Sequence, residues 1–250
     1  MTLIFQEPAM FEKTYWIAFG DIHDDLSRLG DIPEMEGAAG VIVTGDITFA
    51  GGISQAKKVL DEIAAQTPML FAQIGNMDKA EITGWLEQKG WNLHRRAKPL
   101  FPGVVAFGVG CSPFTPFNTP SEHPEQLLYQ WMEEAREEAV CLLNLPEHAL
   151  KADDKRGPHM VLVAHSPPHA SACDRLGDGT PVGSTAVREF IERYHPDICL
   201  CGHIHESRAE DRIGHTHVIN PGTLASGGYI LLHMENELHG TAIKAELKTI

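Results

Sequence analysis

The stretch Thr14-Tyr15-Trp16-Ile17-Ala18-Phe19-Gly20-Asp21-Ile22-His23-Asp24-Asp25 decides how the rest of the chain is read. An apolar run ends at a glycine, and a carboxylate and an imidazole follow it two residues apart. In an extended segment residues two apart point to the same side, so Asp21 and His23 can reach one cavity. The arrangement recurs along the chain. GVIVT precedes Gly45-Asp46, MLFAQI precedes Gly75-Asn76, HMVLVA precedes His165, and DICLC precedes Gly202-His203-Ile204-His205. Each apolar run reads as a buried strand. Each polar group reads as a loop at its carboxyl end, where sites gather in α/β sheets.

Taken one at a time, these groups have ordinary explanations: Asp46 as a turn residue, Asn76 as a left-handed turn residue, His165 as a hydrogen-bonded strand end. Together, Asp21, His23, Asp46, Asn76, His165, His203 and His205 make a donor set suited to two adjacent divalent metal ions. Oxygen and imidazole donors, with no cysteine inside the motifs, favour manganese, with iron, nickel, zinc or cobalt as alternatives, over calcium.

In this order the motifs resemble the calcineurin-like metallophosphoesterases, whose pattern runs Asp-x-His, Gly-Asp, Gly-Asn-His-Asp, His and Gly-His-x-His. Here the pattern spans Gly20 to His205, with one departure: Met77 stands where most members carry histidine, while Asp78 is kept. The resemblance implies an α/β fold, a four-layer α/β/β/α sandwich of two mixed β-sheets flanked by helices. It implies one ion on Asp21, His23 and His205, another on Asn76, His165 and His203, and Asp46 between them. It also implies phosphoester hydrolysis by attack of a metal-bridging hydroxide. A thioether neither binds phosphate nor protonates a leaving group well, and the subgroup without that histidine is associated with phosphodiesters, so phosphodiesterase is the leading expectation. Phosphomonoesterase or pyrophosphatase is the alternative within enzymes. The other class is a non-catalytic binding scaffold, as in the retromer subunit that resembles these enzymes. His169, four residues after His165 in the PPHAS turn, is the candidate to supply the missing acid. With Asp46, Asn76 and His165 it completes the expected catalytic set.

Composition sets the outer bounds. With 250 residues, 43% of them hydrophobic and 22% charged, the chain reads as a single globular domain over 1–250. No apolar run reaches the roughly 20 residues a membrane span needs, and the opening residues lack an export signal, so the cytoplasm is the expected location. The five cysteines are odd in number, which argues for reduced thiols. Cys199 and Cys201 are expected on one face of a buried strand rather than at the metal site. A net charge of −14 argues against nonspecific nucleic-acid binding. A small or medium phosphoester remains the expected partner, because bound cations would make the pocket locally positive.

Strands are expected at Tyr15–Phe19, Gly40–Thr44, Met69–Ile74, Val104–Val109, Met160–Ala164 and Ile198–Cys201, and helices at Ile53–Ala65, Glu81–Lys89, Pro124–Leu143 and Ser184–Tyr194. After Gly202 the short half-alternating segments read as an antiparallel meander. The helix beginning at Pro124 has a run of glutamates expected to face solvent. The proline-rich loop Cys111–Pro124 reads either as a lid or as a crossover whose Phe114 and Phe117 plug the core. Pro167–Gly183, which follows His165, is expected to meet substrate. The histidines outside the motifs, among them His94, His148 and His239, are expected in surface or core roles.

Overall fold

The computed structural model describes residues 15–145, 157–237 and 240–250. In the first sheet β1 (Tyr15–Phe19), β2 (Gly40–Val43) and β3 (Leu70–Ala72) run parallel. Strands β10 (Gly228–Glu237) and β11 (Gly240–Thr249) add antiparallel to the other edge, giving the order β11-β10-β1-β2-β3. The second sheet is built from β4 (Ala97–Phe101), β5 (Val104–Val109), β6 (His159–Ala164), β7 (Ile198–Leu200), β8 (Ala209–Ile213) and β9 (Thr216–Asn220), in the order β4-β5-β6-β7-β9-β8. Its four inner strands are parallel and both edges antiparallel.

Both faces of β1, β2, β3, β5, β7 and most of β6 are buried, which is why these strands read as continuous apolar runs rather than as alternations. In β1, Trp16 and Ala18 join Ile42, Val104, Ala106, Val161, Val163, Leu200, Ile230 and Leu232, all strand residues drawn from the two sheets. That is the layer between the sheets. Their neighbours Ile17 and Phe19 join Val41, Val43, Leu60, Ile63 and the helix-borne Phe190 in the layers under the helices. Trp16 ties the sheets together: its Nε1 donates to Leu100 O at 3.1 Å, and its ring stacks on Phe71 at 5.2 Å. The adjacent strand makes room with Gly40, where a Cβ would collide with the indole.

Helices α1 (Ile53–Ala64), α2 (Glu81–Lys89), α3 (Glu125–Leu143) and α4 (Thr185–Tyr194) flank the sheets. α1 buries Ala56, Val59, Leu60 and Ile63, a stripe at helical spacing, and α4 does the same with Ala186, Val187, Phe190 and Ile191. The fold is the expected α/β/β/α sandwich, with helix and strand limits within a few residues of those read from sequence.

Four expectations change. The tail is two hairpins in different sheets rather than one meander: β8 and β9 close the second sheet, while β10 and β11 close the first. Strand β4 was missed because Pro99 lies within it, and such a strand survives only at an edge, where β4 sits. The glutamates of α3 do not simply face water. Glu125 accepts the Thr185 and Ala186 amides and so caps α4, Glu133 accepts the Tyr194 hydroxyl, and Glu134 pairs with Arg95. Phe114 and Phe117 are 69% and 81% exposed and do not plug the core. His148 and His239 lie outside the described residues.

Candidate metal centre

The site is made where loops leave β1, β2, β3, β6 and β7. Asp21, His23, Asp46 and His203 have φ of 48°, 48°, 50° and 68°, so the Asp21–His23 segment is not extended as expected but left-handed at both donors, which costs a residue with a Cβ of order 1 kcal/mol or more. Cross-links between loops hold them there. The Asp21 amide donates to Gly45 O at 3.0 Å, those of Ile22 and His23 donate to Asp46 O at 2.8 and 3.0 Å, and that of His203 donates to the Asp21 carboxylate at 3.0 Å. Asp78, fully buried, accepts the amides of Ile47, Thr48 and Gly75 and the Thr48 hydroxyl, all within 2.9 Å, and so ties the Asp46 loop to the Asn76 loop. The motif glycines leave space rather than supply chemistry. At Gly45 a Cβ would strike the His165 ring, and at Gly75 it would strike the Asp46 carboxylate.

Two groups of donors result. In the first, Asp21, His23, Asp46 and His205 converge, and in the second Asp46, His165 and His203, with donor atoms inside 4.8 Å of one another in each. Asn76 joins the second group, since its Oδ1 lies 3.0 Å from His165 Nε2. Asp46 belongs to both through a single oxygen: Oδ2 is 3.7 Å from His23 Nε2 and 3.4 Å from His165 Nε2, while Oδ1 accepts the Met77 amide at 2.8 Å.

The donors fit cations. His23 Nε2 and His205 Nε2 face each other at 3.1 Å, with Asp21 Oδ1 3.3 Å from the latter. Nitrogens bound to one ion at about 2.1 Å each stand about 3 Å apart when at right angles. Charge points the same way. Burial lowers the His165 pKa, but Asp46, Asp21 and Asp78 outweigh it and push the imidazole up to about 9. Burial likewise works against ionisation of Asp46, yet His165, His23 and His203 hold its carboxyl below the ordinary range. His203 is driven down to about 4 by burial and then by His165. The surrounding carboxylates therefore favour positive charge at this spot. A bound cation would supply that charge, with His165 deprotonated to ligate it.

The model of the calcineurin-like phosphoesterases matches residues 17–207, a stretch that holds every donor named above. The chain belongs to the calcineurin-like phosphoesterases. It is 34% identical over 211 residues to "Uncharacterized protein MJ1162" of Methanocaldococcus jannaschii, covering 82% of this chain and 86% of that one. Its fold is similar to the crystal structure of TT1561 of Thermus thermophilus, with a TM-score of 0.60 and 18% identity over 94% of this chain and 98% of the other. As a calcineurin-like phosphoesterase it is a metal-dependent hydrolase of phosphoesters, and its Asp and His cluster is compatible with two ions.

His169 stands apart from both donor groups. Its Nδ1 lies 3.7 Å from the buried Asp174 carboxylate and its amide donates to Ser184 O. Met77 is half-buried beside Asn76. Cys199 and Cys201 are buried in the core and belong to neither group. Asn220 is buried and donates to the carbonyls of Cys173, Gly202 and Ile204, which braces the loop bearing His203 and His205. Sequence reasoning missed Phe49. It is 67% exposed, with its amide pinned by Asp24 and its ring 6.0 Å from that of His23. Its only signal was a place three residues after Asp46.

Proposed function

We propose that the protein is a dinuclear phosphodiesterase acting on a small or medium phosphodiester. The observation that carries this reading is the single Asp46 oxygen facing both donor groups. One cation would rest on Asp21, His23, His205 and Asp46, the other on Asn76, His165, His203 and Asp46, with manganese first among the candidates. Two cations so placed supply Lewis acidity and an activated water for in-line displacement at phosphorus. The chain's own contribution is rigidity. Asp78 and the loop cross-links hold the donors in place, and Met77 contributes an amide where a histidine would have acted as a proton donor.

Diester preference follows from that substitution. Without an imidazole at position 77 to bind a non-bridging phosphoryl oxygen, phosphomonoesters, which carry one more anionic oxygen than diesters, are disfavoured. We assign the proton donor to His169, whose ring is 40% exposed and backed by Asp174 on the loop that leaves His165. We place the chain, as one domain over 1–250, in the cytoplasm, and its five free thiols are in keeping with a reducing compartment. No helix among the described residues is long and apolar enough to cross a membrane.

The test is a panel of phosphodiesters, phosphomonoesters, pyrophosphate and nucleotides, assayed with Mn²⁺, Ni²⁺, Zn²⁺ and Mg²⁺ in turn. Diesters should turn over fastest, and Met77→His should raise monoesterase relative to diesterase turnover. An unchanged ratio in that variant removes the role given to Met77. Metal bound without turnover of any ester would favour the scaffold reading.

A further inference from the structure

Asn76 is held from outside the donor cluster. Its Nδ2 donates to Thr119 Oγ1 at 2.9 Å, and that hydroxyl donates to Glu122 Oε1 at 2.7 Å. A hydroxyl has one proton. With that proton committed to the carboxylate, Thr119 meets Asn76 only as an acceptor, which selects the end of the amide that faces it. The Nδ2 end turns to Thr119, and the Oδ1 end is left toward His165 Nε2 at 3.0 Å. An amide rotated the other way would offer the cation an N–H donor, which cannot ligate it.

The carboxylate is itself fixed. Besides the Thr119 hydroxyl, Glu122 accepts the Thr119 amide at 2.8 Å, the Thr115 amide at 3.1 Å and the Thr115 hydroxyl at 2.6 Å. Against the upward push of burial these bonds hold its carboxyl at about 2, so it stays ionised. The same loop grips the backbone of the Asn76 segment: the Ser121 amide donates to Asn76 O at 2.9 Å and its hydroxyl to Asp78 O at 2.6 Å.

We propose that Thr119 and Glu122 are positioning residues of the metal centre: the chain Glu122–Thr119–Asn76 locks the amide with its oxygen inward and sets affinity for the cation on Asn76, His165 and His203, but not for its neighbour. The proposal rests on the dinuclear reading above. It predicts an asymmetry, because nothing in the Asp21, His23 and His205 group touches this loop through a described hydrogen bond. It also gives Cys111–Pro124 a function that neither a lid nor a core plug would require.

The experiment strips the protein of metal and titrates wild type, Thr119→Val, Thr119→Ser and Glu122→Gln with Mn²⁺ against a competing chelator, following both equivalents and the thermal unfolding of each variant. Wild type should take up two ions. Thr119→Val, nearly isosteric but without the hydroxyl, should weaken one equivalent by about 10–100-fold, the usual cost of losing a residue that orients a ligand, and leave the other unchanged. Thr119→Ser should restore it. Glu122→Gln, which removes the charge, should weaken the same equivalent by less, and it carries the test if Thr119→Val does not fold. Equal loss at both equivalents, no loss at either, or failure of serine to rescue overturns the relay. Wild type taking up fewer than two ions overturns the dinuclear reading itself.

Discussion

The layer between the sheets and the edge that carries the metal centre are made from the same strands by opposite means. Between the sheets, regular β residues from nearly every strand bury apolar side chains, and Trp16, stacked on Phe71, reaches across to Leu100. Just past the strand ends, left-handed residues hold buried carboxylates and imidazoles against one another. The first region gains free energy from burial. The second spends it on strained backbone and desolvated charge, which lone structural groups would not recover. The contrast teaches that stability and activity should be separable by mutation.

The largest effect is expected at Asp46. Asp46→Asn should lower ester turnover by more than about 10³-fold, well past the 10–100-fold carried by a supporting residue, because one oxygen serves both donor groups. Unfolding of the metal-free variant, followed by circular dichroism, should show a smaller loss of stability than a core truncation, because the imidazoles that pair with Asp46 lose their partner but can shed their proton. A variant that is both inactive and unstable would break the contrast. Trp16→Ala is the converse. It should cost about 3–5 kcal/mol in denaturant unfolding, while the folded fraction keeps its KM for substrate.

Next comes His169. Replacing it with alanine should slow diesters with poor leaving groups by about 100-fold, the lower end of what general acid help provides, and barely affect nitrophenyl esters. Equal slowing of both removes His169 from the mechanism.

The smallest effect concerns His94, which is buried and edge-on to Trp131, its Nδ1 accepting the Gly110 amide at 2.9 Å. Burial first, then Arg95 and His123, push its pKa down to about 3. The unfolded chain, with an ordinary value near 6.5, takes up a proton that the folded chain refuses. The contribution is complete above about pH 6.5 and is lost progressively as pH falls toward 3, roughly 2 kcal/mol by pH 5. Urea unfolding of wild type and His94→Gln across this range should show the steeper fall in wild type. Parallel curves would contradict it.

How much of this was legible follows from the same contrast. The buried strands announce themselves as apolar runs, and each donor follows one directly, so the strands, the helices and the donor set could be read from spacing. What escaped depends on pairings distant in sequence. Pro99 concealed an edge strand, and β9 and β10 join different sheets although only a short loop separates them. The glutamates of α3 looked like a solvent face because Arg95, Tyr194 and the start of α4 lie far away along the chain. Thr119 and Glu122 carried no motif at all. Their relation to Asn76 exists only once the loop after β5 has folded back on the loop after β3.

The most direct test of the account is a crystal of the protein grown with Mn²⁺, with data collected at the manganese edge. The account predicts two anomalous peaks roughly 3.5–4 Å apart, both within bonding distance of Asp46 Oδ2, one among Asp21, His23 and His205 and the other among Asn76, His165 and His203. A single peak, or two peaks that do not share Asp46, would contradict it.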